Sequence, residues 1–258
     1  MLPAGVAPFP KLRVLSLHTL YPFSDDVLFR GNAATLEYLE FKVNPHIVDI
    51  INRSQELDGK HSVLRHVIVH RCYGSEEQFN TSEVDKHRFI GVLARVAKRL
   101  VVSAPMFTGI PAEAVQHGYS FMNIQVYDTG FYALSLFTTL SLLKALPSLV
   151  NLKSGIGSLG KELEHMASAE LPDYVETEYG PLETKVQVWA IGACSSQGKA
   201  KLVDYILLLA LVCPELYRIE GLSGALSGNP DAIAEALSGD VYGKYESRLN
   251  WLLRCAHD

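Results

Sequence analysis

The chain has 258 residues, 48% apolar and 20% charged, enough for a sizeable core in one large domain or two small ones. A net charge of -5 supplies no basic field of the kind that phosphate-mediated nucleic-acid binding requires, so no nucleic-acid partner is expected. The most apolar runs, Tyr132 to Leu146 and Leu202 to Cys213, fall short of the roughly 20 residues that cross a bilayer. Each region also carries a charge, Lys144 or Asp204, so both read as buried helices and no membrane partner is expected.

In chain order, Met1 to Pro10 is apolar and proline-rich, and at that length any N-terminal cap is missing or very short. From Leu12 a pattern of apolar places at 0, +3, +5 and +8 begins and returns along the chain. Its clearest copies are Leu12-Leu15-Leu17-Leu20, Leu36-Leu39-Phe41-Asn44, Leu64-Val67-Val69-Cys72 and Val186-Trp189-Ile191-Cys194. Weaker copies start at Ala97, Phe121, Leu149 and Leu216, so that eight copies lie 24 to 37 residues apart. Alternation from the first place to the sixth predicts a strand with one buried face, and a change to helical spacing follows it. Helices are predicted near His46 to Leu57, Ser82 to Ala97 and Lys161 to Ala169. After Leu222, one helix is predicted from the Asn229-Pro230-Asp231 turn to Leu237, with Pro230 at its first position, and an amphipathic one over Tyr242 to Cys255. The expected organisation is a repeat array over 1–222 and a C-terminal helical cap over 223–258.

A βα repeat of this length and consensus is the leucine-rich-repeat signature. Helical content in the gaps makes it similar to the ribonuclease-inhibitor-like and cysteine-containing subclasses. The stretch Tyr21 to Asn32, leading into Ala33 to Leu39, resembles a segment of fungal leucine-rich-repeat proteins, some of whose relatives resemble the repeat half of F-box proteins. The resemblance implies an α/β solenoid, a horseshoe of about eight irregular repeats with a parallel sheet on its concave face. It also implies a ninth-place side chain, here Asn44, Cys72, Thr129 and Cys194, that turns inward to hydrogen-bond the backbone of neighbouring repeats. Leu20, Pro105, Gly157 and Gly224 cannot do so, and an irregular curvature is expected there.

In such an array the third, fifth and seventh places point out of the concave face. They supply the candidate partner-binding residues Tyr38, Glu40, Lys42, His66, His70, Arg99, Asn123, Gln125, Tyr127, Asn151, Lys153, Arg218 and Glu220. Tyrosine, histidine, arginine and amide groups suit protein recognition, although any exposed sheet face must be polar. The expected function is a non-catalytic scaffold for a protein partner of unknown identity. A substrate-receptor fragment of an F-box ubiquitin ligase is the alternative, against which no F-box-like helical segment precedes Leu12.

A third reading is a nucleotide-cofactor enzyme using Gly155-Ile156-Gly157-Ser158-Leu159-Gly160, a formal GxGxxG. No second apolar strand ending in an acid follows at the required distance, and glycines are ordinary at a repeat's strand-to-helix turn. No catalytic residue, cofactor or metal site is therefore expected. His66 and His70 lie on one strand about 13 Å apart, too far to share a metal. Glu176 to Glu178 reads as solvated loop. Cys72, Cys194, Cys213 and Cys255 are widely spaced, and no N-terminal stretch reads as a secretory signal. A reduced intracellular protein, cytoplasmic or nuclear, is expected, with the Asn80-Thr81-Ser82 sequon unused.

Overall fold

The computed structural model describes residues 11–17, 35–42, 65–70, 99–102, 124–226, 229 and 231–257. The helices expected near His46 to Leu57 and Ser82 to Ala97 lie outside them. The chain is α/β with parallel strands, and it divides into two compact units, Met1–Ile124 and Gln125–Asp258.

In the first unit β1 (Val14–Leu17), β2 (Tyr38–Lys42), β3 (His66–His70) and β4 (Arg99–Val102) stand side by side in chain order. All pairings are parallel, and the third places align as Val14, Tyr38, His66 and Arg99. Leu15, Leu36, Leu39 and Val67 are buried while Val14 is 61% exposed, the two-sided burial that strand alternation predicts.

The second unit alternates strands and helices. β5 (Val126–Leu134) leads to α1 (Leu136–Ala145), and β6 (Asn151–Ile156) to α2 (Lys161–Glu164) and α3 (Leu171–Tyr179). β7 (Val188–Cys194) is followed by α4 (Ser196–Ala200) and α5 (Leu202–Val212), and β8 (Arg218–Glu220) by α6 (Leu222–Leu226). Then come α7 (Ala232–Ser238), a 3-10 turn (Gly243–Tyr245), α8 (Glu246–Leu249) and α9 (Leu252–His257). β5 to β8 are also parallel and in chain order, with Val126, Asn151, Val188 and Arg218 aligned. The helices after residue 222 pack within this unit, against α5, β7, β8 and one another.

Four of the predicted helices differ. Of the run Tyr132 to Leu146 the first three residues belong to β5, and the helix is Leu136–Ala145. The run from Lys161 stops at Glu164, and α3 restarts at Leu171 with Pro172 in its first turn, where the missing N–H costs nothing. α7 begins at Ala232, beyond Pro230. The helix expected over Tyr242 to Cys255 is broken in three, and at the first break the Tyr245 hydroxyl lies 2.9 Å from Asp173 and 3.2 Å from Glu176 on α3.

Among the described residues five carbonyls share one hydrogen-bond device at the strand starts. The carbonyl of the second place accepts two successive N–H groups from the next repeat. Arg13 receives Glu37 and Tyr38 (2.8 and 2.9 Å), and Glu37 receives Arg65 and His66 (2.9 and 3.2 Å). In the second unit Gln125 receives Val150 and Asn151 (2.9 and 3.0 Å), Val150 receives Gln187 and Val188 (2.9 and 3.2 Å), and Gln187 receives Tyr217 and Arg218 (3.2 and 3.3 Å).

The core of the second unit gathers on α5, buried from Tyr205 through Val212, as a helix apolar on all sides must be. Tyr205 stacks on Trp189 (5.8 Å between rings), and its hydroxyl meets Thr139 Oγ1 (2.6 Å) and the Leu134 carbonyl (3.2 Å). The indole N–H of Trp189 donates to Ser154 Oγ (3.0 Å), so both buried aromatics carry their polar atoms satisfied.

Candidate functional site

The candidate site is the exposed face of the strands. In the first unit Glu40 is its polar centre: Ser16 Oγ and Tyr38 OH both donate to Glu40 Oε2, at 3.1 and 3.2 Å. The Tyr38 ring meets His66 edge-on at 4.8 Å, across the aligned pair of β2 and β3. Lys42 pairs with His70 and Arg99 with His66 in the backbone register. A parallel ladder puts each of these pairs on neighbouring strands about 4.8 Å apart.

In the second unit Lys153 bridges to Asp128 across β6 and β5 at 3.3 Å, and Arg218 bridges to Glu220 along β8 at 3.2 Å. Asn151, Arg218 and Glu220 are exposed and Lys153 is half-buried. These side chains therefore form a mixed face of amide and paired charges.

Two of the expected residues fall elsewhere, and a third is outside the described residues. Tyr127 is completely buried, and its hydroxyl is pushed well above the usual phenol range by that burial, so it does not belong to the face. Gln125 is exposed but precedes β5, where its carbonyl serves the strand-start device. Asn123 lies outside the described residues.

Both misplacements have one origin. The repeat that contains β5 starts at Ile124, not at Phe121, with Tyr127 and Thr129 as its next two buried places. Its outward residues are Val126 and Asp128, which the shifted frame missed. The sequence held a signal for this. Starting at Ile124 leaves 25 residues to Leu149, and Ile124-x-x-Tyr127-x-Thr129 keeps the 0, +3, +5 spacing once a buried tyrosine and threonine are admitted.

The ninth-place ladder is also different. Thr129 does donate to a neighbouring strand, to the Lys153 carbonyl at 3.3 Å, but from the sixth place of its repeat. Cys194 Sγ donates locally, to the Ser195 carbonyl at 3.6 Å, and partial burial raises its thiol above the usual range. Asn44 and Cys72 lie outside the described residues. What the second unit shares instead is a turn at the ends of its strands. Leu134, Ile156 and Cys194 align there, followed by Ser135, Gly157 and Ser195. Ser135 Oγ accepts from Thr138 N (3.1 Å) and Ser195 Oγ from Gly198 N (2.9 Å), capping α1 and α4. Gly157 N and Ser195 N donate to the carbonyls of Leu134 and Ile156 (2.7 and 2.9 Å).

The GxGxxG segment is one of these turns. A Cβ on Gly157 would lie 2.7 Å from the Leu134 carbonyl oxygen, and Gly160, at φ 98, starts the four-residue α2. Close approach of one backbone to another accounts for the first glycine, and a left-handed backbone for the second. Glu176, expected in a loop, sits on α3 and accepts from Arg248 Nη1 at 2.7 Å. Among the described residues no three His, Cys, Asp or Glu side chains are placed to hold a metal, and no helix is long and apolar enough to cross a membrane.

Compared with known proteins, the chain matches no protein-family model and no curated protein.

Proposed function

We propose that this protein is a leucine-rich-repeat scaffold, a horseshoe-type array without catalytic function that captures a partner protein on the exposed faces of its parallel strands. The observation that carries this reading is the register. Strands in chain order, with third places aligned, set side chains from distant parts of the sequence into columns on an exposed face. Tyr38, His66, Asn151, Lys153 and Arg218 are the aromatic, amide and cationic groups in those columns, a composition that favours a protein surface over lipid or phosphate. The free thiols of Cys194, Cys213 and Cys255 support a reducing compartment.

The test is capture by the full-length, tagged chain from extract of its source, with bound proteins identified by mass spectrometry. Tyr38→Ala with Glu40→Lys alters the first unit's face, and Asn151→Ala with Lys153→Glu the second's. A specific partner is expected to be lost from at least one of the two variants, with melting temperatures within a few degrees of the parent. Equal capture by parent and both variants would remove the site from these faces.

A further inference from the structure

β8 is the last strand of the second unit's sheet, and among the described residues no strand lies beyond it. Tyr217 occupies there the place that Arg13, Glu37, Gln125, Val150 and Gln187 occupy before their strands. Each of those carbonyls accepts two N–H groups from a following strand. The Tyr217 carbonyl is instead approached by Cys255 Sγ at 3.9 Å, a weak donor at long range. An acceptor shaped for an incoming parallel strand therefore stands at the edge, and strand edges are ready templates for added chain.

The edge opens into a cleft of about 750 Å³ between β8 and α9, within the roughly 300–1,000 Å³ typical of ligand sites. Tyr217, 60% exposed, and Trp251 line it with aromatic surface, and Arg218, Glu220 and Arg254 with charge. Arg218 engages Glu220 at 3.2 Å, so the guanidinium of Arg254 leaves the cleft net positive on a chain of net charge -5. Backbone acceptor, aromatic walls and positive charge together define an occupant: an extended acidic peptide. We propose that the edge of β8, facing α9 across this cleft, is a docking site that takes up such a peptide as an added parallel strand. The site adjoins the second unit's strand face, with which it shares Arg218 and Glu220, but its main-chain acceptor at Tyr217 and the α9 wall are not part of that face.

The experiment titrates the full chain into fluorescein-labelled six-residue peptides and follows anisotropy. One peptide alternates glutamate with valine, a second alternates lysine with valine, and a third is the glutamate peptide with alternate backbone nitrogens methylated. The glutamate peptide is expected to bind at least about tenfold more tightly than either other peptide, because charge complementarity and main-chain donors both contribute. Arg218→Glu with Arg254→Glu, both exposed positions, is expected to reverse the order of the glutamate and lysine peptides while leaving the melting temperature unchanged. The proposal is overturned if the glutamate peptide fails to bind, if it binds no better than the lysine or methylated one, or if its preference survives the charge reversal. It is equally overturned if the chain dimerises with concentration and peptides fail to compete, since the edge then belongs to a second copy.

Discussion

Gly157 shows at the scale of one residue why a motif read from letters alone changes meaning in the fold. Its missing side chain is filled by β5 backbone: a Cβ would meet Leu134 O at 2.7 Å and Leu134 C at 2.9 Å, and neither atom can swing aside. Gly198 stands in the same relation to the Ile156 carbonyl, 2.5 Å from a Cβ built there. The two glycines let successive turns approach, which is a packing requirement. Gly157→Ala is therefore expected to destabilise the protein by about 1–3 kcal/mol, the usual cost of overpacking a tight contact. Gly224, inside α6 with nothing within 4 Å of its would-be Cβ, is the control. Gly224→Ala is expected to be neutral or to stabilise by up to about 1 kcal/mol through helix propensity. Urea denaturation of both variants checks the pair, and a G157A protein as stable as its parent would contradict the contact.

Between elements, the C-terminal helices are tied to α3 by charge. Lys244 and Tyr245 donate to Asp173, and Arg248 to Glu176 at 2.7 Å, while the Lys244 and Arg248 cations lie within 5.0 and 5.9 Å of the Tyr245 ring centre. The hydrogen bond from Lys244, then that from Tyr245, holds the Asp173 carboxyl below its ordinary value of 3.8. Arg248 does the same to Glu176 relative to 4.5. Because both carboxyls are depressed in the folded protein, the stabilisation they contribute is complete above their ordinary values and disappears as pH falls through the lowered ones. Exposure of these groups keeps the effect small. Asp173→Asn with Glu176→Gln is expected to lower the melting temperature slightly at neutral pH and to flatten its fall below about pH 4. Thermal melts across that range decide it, and parallel curves for parent and variant would refute the link. Sequence alone placed Glu176 in a solvated loop and assigned Asp173 to no element. Their spacing of three does share a helix face, but Arg248 lies 72 residues from Glu176, and a bond made by folding across that separation leaves no local trace.

Among the described residues, the repeat spacing was legible wherever a leucine-like residue filled the buried places, because burial of alternate side chains is a constraint each strand writes locally. It misled at one repeat. There a tyrosine and a threonine take buried places, and β5 takes five steps from Asp128 to Ala133 while β6 takes two from Lys153 to Gly155. The bulge adds residues that no consensus anticipates, and the face residues Val126 and Asp128 were lost with the frame. The division into two compact units was not written in the spacing at all, since the pattern runs through it without a break in period. That division has a measurable consequence. Both tryptophans, Trp189 and Trp251, belong to the second unit, whereas far-ultraviolet dichroism reports on strands and helices throughout. Stability in repeat chains is a sum of local and nearest-neighbour terms, and chains with separate compact units depart from a single two-state transition. Tryptophan fluorescence and dichroism are therefore expected to give different midpoints in urea. Ser154→Ala removes the partner of the buried Trp189 N–H, bonded at 3.0 Å, at a cost of about 1–3 kcal/mol. It is expected to move the fluorescence midpoint clearly and the dichroism midpoint less. Coincident transitions that shift together in S154A would mean that the two units unfold as one cooperative body.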